Sequence, residues 1–173
     1  MIPSRVRDLS ADPAAGGAPI GEHFYNAKMV PWADGPGVVE FPDGRRIRGR
    51  SLRQPRPGGP DPQFAVYLLG RCPPPSDWPH RWVRWPDFAT PTSNSDAIAA
   101  LREAYERSSI ERVEIACEGG VGRTGTALAA IAVLAGVAPH EAVEWVRQRY
   151  HRRAVETPWQ RRWVINLRDT WTG

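Results

Sequence analysis

The sequence predicts an α/β fold, with a mixed central sheet of about four to five strands and helices on both faces. Three observations carry this. A continuous apolar run of strand length, Phe64 to Leu69, is stopped by Gly70, and a second short strand-like segment spans Arg112 to Ala116. Helical spacing dominates the chain beyond that segment. Between the two, Ile115 to Thr126 reads as a strand passing through a glycine-rich turn into a helix.

The elements follow in order. Residues 1–37 hold Pro3, Pro13, Pro19, Pro31 and Pro36 among scattered glycines, with no sustained period. They are expected to form an extended arm packed on the domain. Val38 to Phe41, the turn at Pro42-Asp43-Gly44, and Arg45 to Arg50 read as a β-hairpin. Residues 54–62 (QPRPGGPDP) are a loop. After Phe64 to Leu69 comes a proline-rich loop (CPPPSDWP). In Arg81 to Trp85, basic and apolar residues alternate at the period of a strand. Ser95 to Ser108 shows helical spacing through Ile98, Leu101 and Tyr105. Thr124 to Ala135 is small and apolar all round, which predicts a buried helix. Pro139 is expected to open a helix carrying Ala142, Val143, Val146 and Tyr150. Thr157 reads as an N-cap and Pro158 as the first residue of a last helix with Trp159, Trp163 and Leu167. No internal repeat and no second domain are visible. The expected organisation is one domain over 1–173, with an arm and hairpin over 1–60 and a core over 64–168.

Composition narrows the function classes. At 173 residues, 41% hydrophobic and 24% charged, the chain has the makeup of one globular domain. Its longest nearly unbroken apolar run, Ala127 to Ala138, is shorter than the about 20 residues a membrane span needs. No apolar leader is visible at the start, and two cysteines make no disulfide scaffold, so a cytoplasmic, reducing location is expected. The formal net charge is +4, and every basic residue except Lys28 is arginine. The arginines from Arg45 to Arg56 read as a solvated hairpin face or as a guide for acidic substrates. They lack interleaved aromatics, which argues against nucleic acid. The Trp82/Trp85 and Trp159/Trp163 pairs are expected to anchor the core. His23, His80, His140 and His151 have no metal-ligand spacing, so no metal is expected, and no cofactor either.

The chemistry concentrates in Cys117-Glu118-Gly119-Gly120-Val121-Gly122-Arg123-Thr124. Glycines let successive N–H groups curl inward around one centre, and a helix N-terminus adds partial positive charge. Arg123 can present a planar fork to two oxygens of a tetrahedral anion. The same field favours the thiolate of Cys117 over the thiol, and a thiolate facing a bound phosphate is a nucleophile.

This segment resembles the signature loop (P-loop) of the cysteine-dependent protein tyrosine and dual-specificity phosphatases, in the compact form found in bacteria. Their pattern is Cys, five residues, Arg, then Ser or Thr, met here by Cys117, Arg123 and Thr124. Trp85-Pro86-Asp87 resembles the family's acid loop, at the separation from the cysteine typical of the compact branch. Val155-Glu156-Thr157-Pro158-Trp159-Gln160 is similar to a segment that precedes the last helix of small members. The resemblance covers residues 64–168. It implies a metal-free hydrolase in which Cys117 forms a phosphocysteine intermediate and Glu118, Gly119, Gly120, Val121, Gly122 and Arg123 hold the phosphate. It further implies that Asp87 is acid and then base, that Thr124 assists the sulfur as leaving group, and that Gln160 orients water. Cys72 is implied as a redox partner of Cys117, against the plainer reading of a loop-edge thiol. Phosphorylated proteins, other phosphomonoesters and phosphate-like anions are the implied ligands.

One departure stands out. The family has histidine directly before the cysteine and this chain has Ala116, which implies a less rigid loop; Glu118 is a poor neighbour for a dianion. A weakly active or inactive phosphate-binding protein is therefore an open alternative. So is a phosphoinositide, nucleotide or RNA-end phosphatase. Gly120, Gly122 and Gly125 also fit the dinucleotide fingerprint, but a helix rather than a strand follows, so that reading is set aside. There is no Gly-Lys-Ser/Thr, and no histidine pattern supports a cysteine protease.

Overall fold

A computed structural model describes residues 30–169. Most of the expected arm, residues 1–29, lies outside the described residues. Five strands make one mixed sheet: β1 (Val38–Glu40), β2 (Arg46–Ser51), β3 (Phe64–Leu69), β4 (His80–Arg84) and β5 (Val113–Cys117), in the order β1-β2-β5-β3-β4. Four helices accompany it: α1 (Asn94–Arg107), α2 (Gly122–Leu134), α3 (Ala142–Arg149) and α4 (Pro158–Ile165). The β1–β2 hairpin is antiparallel, with Val39 opposite Ile47, and its turn uses Gly44 at φ 83°. All other pairings are parallel, and β5 lies centrally between β2 and β3. Ligands of open α/β sheets gather at the carboxyl ends of the parallel strands, and Cys117 ends β5.

Among the described residues all four helices lie on one face of the sheet, where helices on both were expected. Phe64, Val66 and Leu68 of β3 and Val113, Ile115 and Cys117 of β5 join a single core cluster with apolar residues of every helix. The alternate residues Ala65, Tyr67, Leu69 and Ala116 pack instead with Leu52 and Trp78, without any helical residue. Loops fill this second face. Trp32 is buried, donates its indole N–H to the Val113 carbonyl at 2.6 Å, and lies 3.8 Å beneath the Arg48 guanidinium.

The hairpin arginines are not uniformly solvated either. Parallel register sets Arg48 opposite Glu114, and both are buried. Glu114 bridges Arg48 at 2.7 Å and Arg50 at 2.9 Å. Arg46 alone of these strand arginines pairs outward, with Glu40. α3 begins at Ala142 rather than Pro139, because the Ala138 carbonyl accepts from both Glu141 and Ala142 and makes the preceding residues a turn. No helix among the described residues is long and apolar enough to cross a membrane.

Candidate active site

β5 carries Cys117 into a turn that folds back over its own sulfur. Cys117 is buried, 2% exposed, and its Sγ accepts the Gly120 N–H and the Thr124 hydroxyl, each at 3.1 Å. Gly120 has φ 67°, and a Cβ there would meet the Ser51 nitrogen at 2.6 Å, so glycine is demanded twice over. Chain beyond β2 braces the turn: Leu52 N–H donates to the Cys117 carbonyl, and Arg53 N–H and the Ser51 hydroxyl donate to the Glu118 carbonyl. The Tyr150 hydroxyl donates to the Gly120 carbonyl. Burial, with the charges of Cys117 and Glu114 adding, pushes this phenol well above its ordinary range, so it stays a donor. Val121 caps α2 without a side-chain hydrogen bond, leaving first-turn N–H groups for an anion.

Arg123 sits in the first turn of α2 and is 3% exposed. Its Nη1 donates to the Trp85 carbonyl at 3.0 Å, and its Nη2 lies 3.0 Å from Asp87 and 3.7 Å from Glu118. Its Nε is buried without a protein partner. A buried guanidinium N–H is costly when unpaired, and an anion oxygen in the turn would satisfy it. Asp87 follows β4 on a loop whose exposed edge carries Phe88, also at positive φ (54°). Gly70, Arg71, Pro86, Asp87, Glu118 and Arg123 line an open cleft of about 370 Å³ above the loop. A buried thiol with two donors, a buried arginine with one free N–H, and a carboxylate at the mouth together suit the capture of a tetrahedral dianion.

A family model described as protein-tyrosine phosphatase matches residues 75–158, the stretch that holds Asp87 and the turn from Cys117 to Thr124. Over that stretch, just under half of its length, the chain is similar to the protein-tyrosine phosphatases. The crystal structure of Tk-PTP in its active form has the same fold, with a TM-score of 0.61 and 26% identity over 79% of this chain and 99% of that one. A glycine-to-alanine mutant form of Tk-PTP matches at TM-score 0.56 and 28% identity, covering 65% of this chain and 80% of that one. Uncharacterized protein MJ0215 of Methanocaldococcus jannaschii is 38% identical over 87 residues, 50% of this chain and 54% of that protein. Uncharacterized protein MJECL20 of the same organism is 37% identical over 87 residues, 50% of this chain and 58% of that protein. The chain thus spans little more than half the length of these two relatives.

The structure brings Asp87, Glu118 and Arg123 to one cleft and sets the Thr124 hydroxyl 3.1 Å from the Cys117 sulfur in the adjoining turn. It places two expected residues differently. Gln160 is fully buried; its Oε1 accepts the Glu156 and Thr157 N–H groups and its Nε2 donates to the Ala89 carbonyl at 3.2 Å. Cys72 is exposed and lines a neighbouring cavity of about 420 Å³ with Arg71, Trp78 and Glu118. Ala116 is buried against Tyr67 and Leu69 on the face away from the helices, so its methyl fills a packed position. The bracing from Ser51, Leu52, Arg53 and Tyr150 was missed from sequence. The antiparallel-then-parallel path of β2 gave no local signal for it.

Proposed function

We propose that the protein is a phosphomonoester hydrolase working through a phosphocysteine, with phosphotyrosine as the substrate class. The observation that carries this is Cys117 Sγ held by the Gly120 N–H and the Thr124 hydroxyl beside the unpartnered Nε of Arg123. The thiolate attacks phosphorus while Arg123 and the loop N–H groups hold the phosphoryl oxygens. The bond to the leaving oxygen breaks as Asp87 supplies its proton. Water then attacks the phosphocysteine, Asp87 takes the water's proton, and the P–S bond breaks with the Thr124 hydroxyl donating to the departing thiolate. The match over residues 75–158 to a family model described as protein-tyrosine phosphatase supports phosphotyrosine as the substrate class.

The test is turnover of a phosphotyrosine peptide, a phosphoserine peptide, a phosphoinositide and a nucleotide by wild type and Cys117→Ser. Phosphotyrosine is expected to turn over fastest, with loss of at least about 10³-fold in the variant and an acid-trappable phosphoenzyme in wild type only. Equal rates in both proteins would sink the reading. A non-catalytic phosphate binder is the second reading, motivated by Ala116 in place of histidine before Cys117 and by Glu118 inside the turn, 3.7 Å from Arg123 Nη2. Vanadate or phosphate binding without turnover would select it.

A further inference from the structure

The acid loop is gripped from outside by the segment that opens α4. Three side-chain N–H groups reach its backbone. Trp85 Nε1 donates to the Ala89 carbonyl at 2.7 Å, Gln160 Nε2 joins it there at 3.2 Å, and Trp159 Nε1 donates to the Phe88 carbonyl. Phe88, the residue after Asp87, is held at φ 54°, a conformation that an aromatic side chain adopts only under constraint. Trp159 is 54% exposed, so its ring does little for the core.

The gripping segment is itself fixed. Val155 has φ 62°, unusual for a β-branched residue, and Arg147 holds it by donating from Nε to the Ala154 carbonyl at 2.9 Å and from Nη2 to the Val155 carbonyl at 3.0 Å. Ala154 packs against Gly125, where a Cβ would meet it at 2.5 Å, and the Glu156 carboxylate packs against Gly122. Thr157 and Gln160 complete a capping box that fixes the first turn of α4. One short segment therefore touches the start of α2 and the carbonyls of the acid loop's strained residue, Phe88, and of Ala89 after it.

We infer that residues 154–160 form a latch that sets the position of Asp87 relative to the phosphate loop, with Trp159 as its positioning residue. The catalytic half of this inference rests on Asp87 being the acid of the proposed reaction; the structural half does not. Trp159→Phe keeps an aromatic ring at this exposed position and removes the N–H donor. Two measurements on the full chain test it. Amide hydrogen exchange of residues 87–89 should quicken by about fivefold, the weight of one lost hydrogen bond. Hydrolysis of phenyl phosphate, whose poor leaving group needs the acid, should fall by about the same factor, while p-nitrophenyl phosphate, which needs it less, should stay within about twofold. Unchanged exchange overturns the latch. Faster exchange with an equal loss on both esters overturns the positioning of Asp87. If wild type hydrolyses neither ester, the phosphatase reading fails, and exchange alone decides the latch.

Discussion

Replacing Glu114 with glutamine tests the physics of the sheet's second face. Glu114 is fully buried, with Oε2 2.7 Å from Arg48 Nη2 and Oε1 2.9 Å from Arg50 Nε. Arg48 is itself 3% exposed. Glutamine keeps the shape and removes the charge, so one carboxylate no longer compensates two guanidinium groups withdrawn from water. Breaking a buried pair from one side costs about 3–5 kcal/mol. For a chain of this size, about 2–4 °C is lost per kcal/mol, so the melting temperature should fall by about 6–20 °C. Thermal and urea unfolding followed by circular dichroism measure it. Asp61→Asn is the control, because the Asp61–Arg56 pair at 2.8 Å is exposed on both sides and should be worth less than about 1 kcal/mol. Replacing Glu114, Arg48 and Arg50 together with apolar residues of similar volume should recover most of the loss. A Glu114→Gln protein that melts with wild type would refute the buried-ion account.

Two further outcomes are expected. Gly120→Ala should abolish vanadate binding, since its Cβ has no room beside Ser51 and its φ is left-handed, whereas Gly119→Ala, with nothing within 4 Å, should bind within about threefold of wild type; equal behaviour of the two would overturn the role given to Gly120. Tyr150→Phe should cost about 1 kcal/mol near pH 7 through the lost bond to the Gly120 carbonyl. Because folding raises this phenol above its ordinary 10.0, its contribution is fully present below that pH and is lost as pH rises toward the raised value, so the variant should lose stability less steeply in alkali. Parallel stability curves would contradict the assignment.

Much of this was legible in the chain. β3 matches its apolar run residue for residue, and Thr157 and Pro158 open α4 as their types predict, because local chemistry decides both. The turn from Cys117 into α2 was legible because glycines between a short strand and an apolar helix signal a tight reversal. Glu114 was not, because a carboxylate inside a strand declares its partners only through register. Gln160 was half read. Thr157 and Gln160 form the threonine-x-x-glutamine signature of a capping box, and that local role sits alongside the water-orienting one implied by resemblance. Trp85 and Trp163 do anchor the core, edge to face at 5.2 Å, but Trp82 on β4 and Trp159 on α4 are exposed, since spacing alone cannot say which face of an element meets the core.

The sheet order bears on how this protein can be divided. Family similarity is concentrated in residues 75–158, yet β5, which delivers the nucleophile candidate, has β2 and β3 as its neighbours, and both lie upstream of residue 75. A fragment cut at the limits of similarity would keep Asp87, Cys117, Glu118, Arg123 and Thr124 but lose Arg71 from the cleft and Trp159 and Gln160 from the latch, while stripping β5 of its hydrogen-bonding partners on both edges. It would also lose the Ser51-to-Arg53 chain that shapes the anion turn. The similarity lies in just under half of the polypeptide, while the strands and the loop that brace its residues come from outside it. Family boundaries drawn from side chains therefore fall inside the cooperative unit, and expression limits for this fold belong upstream of the hairpin.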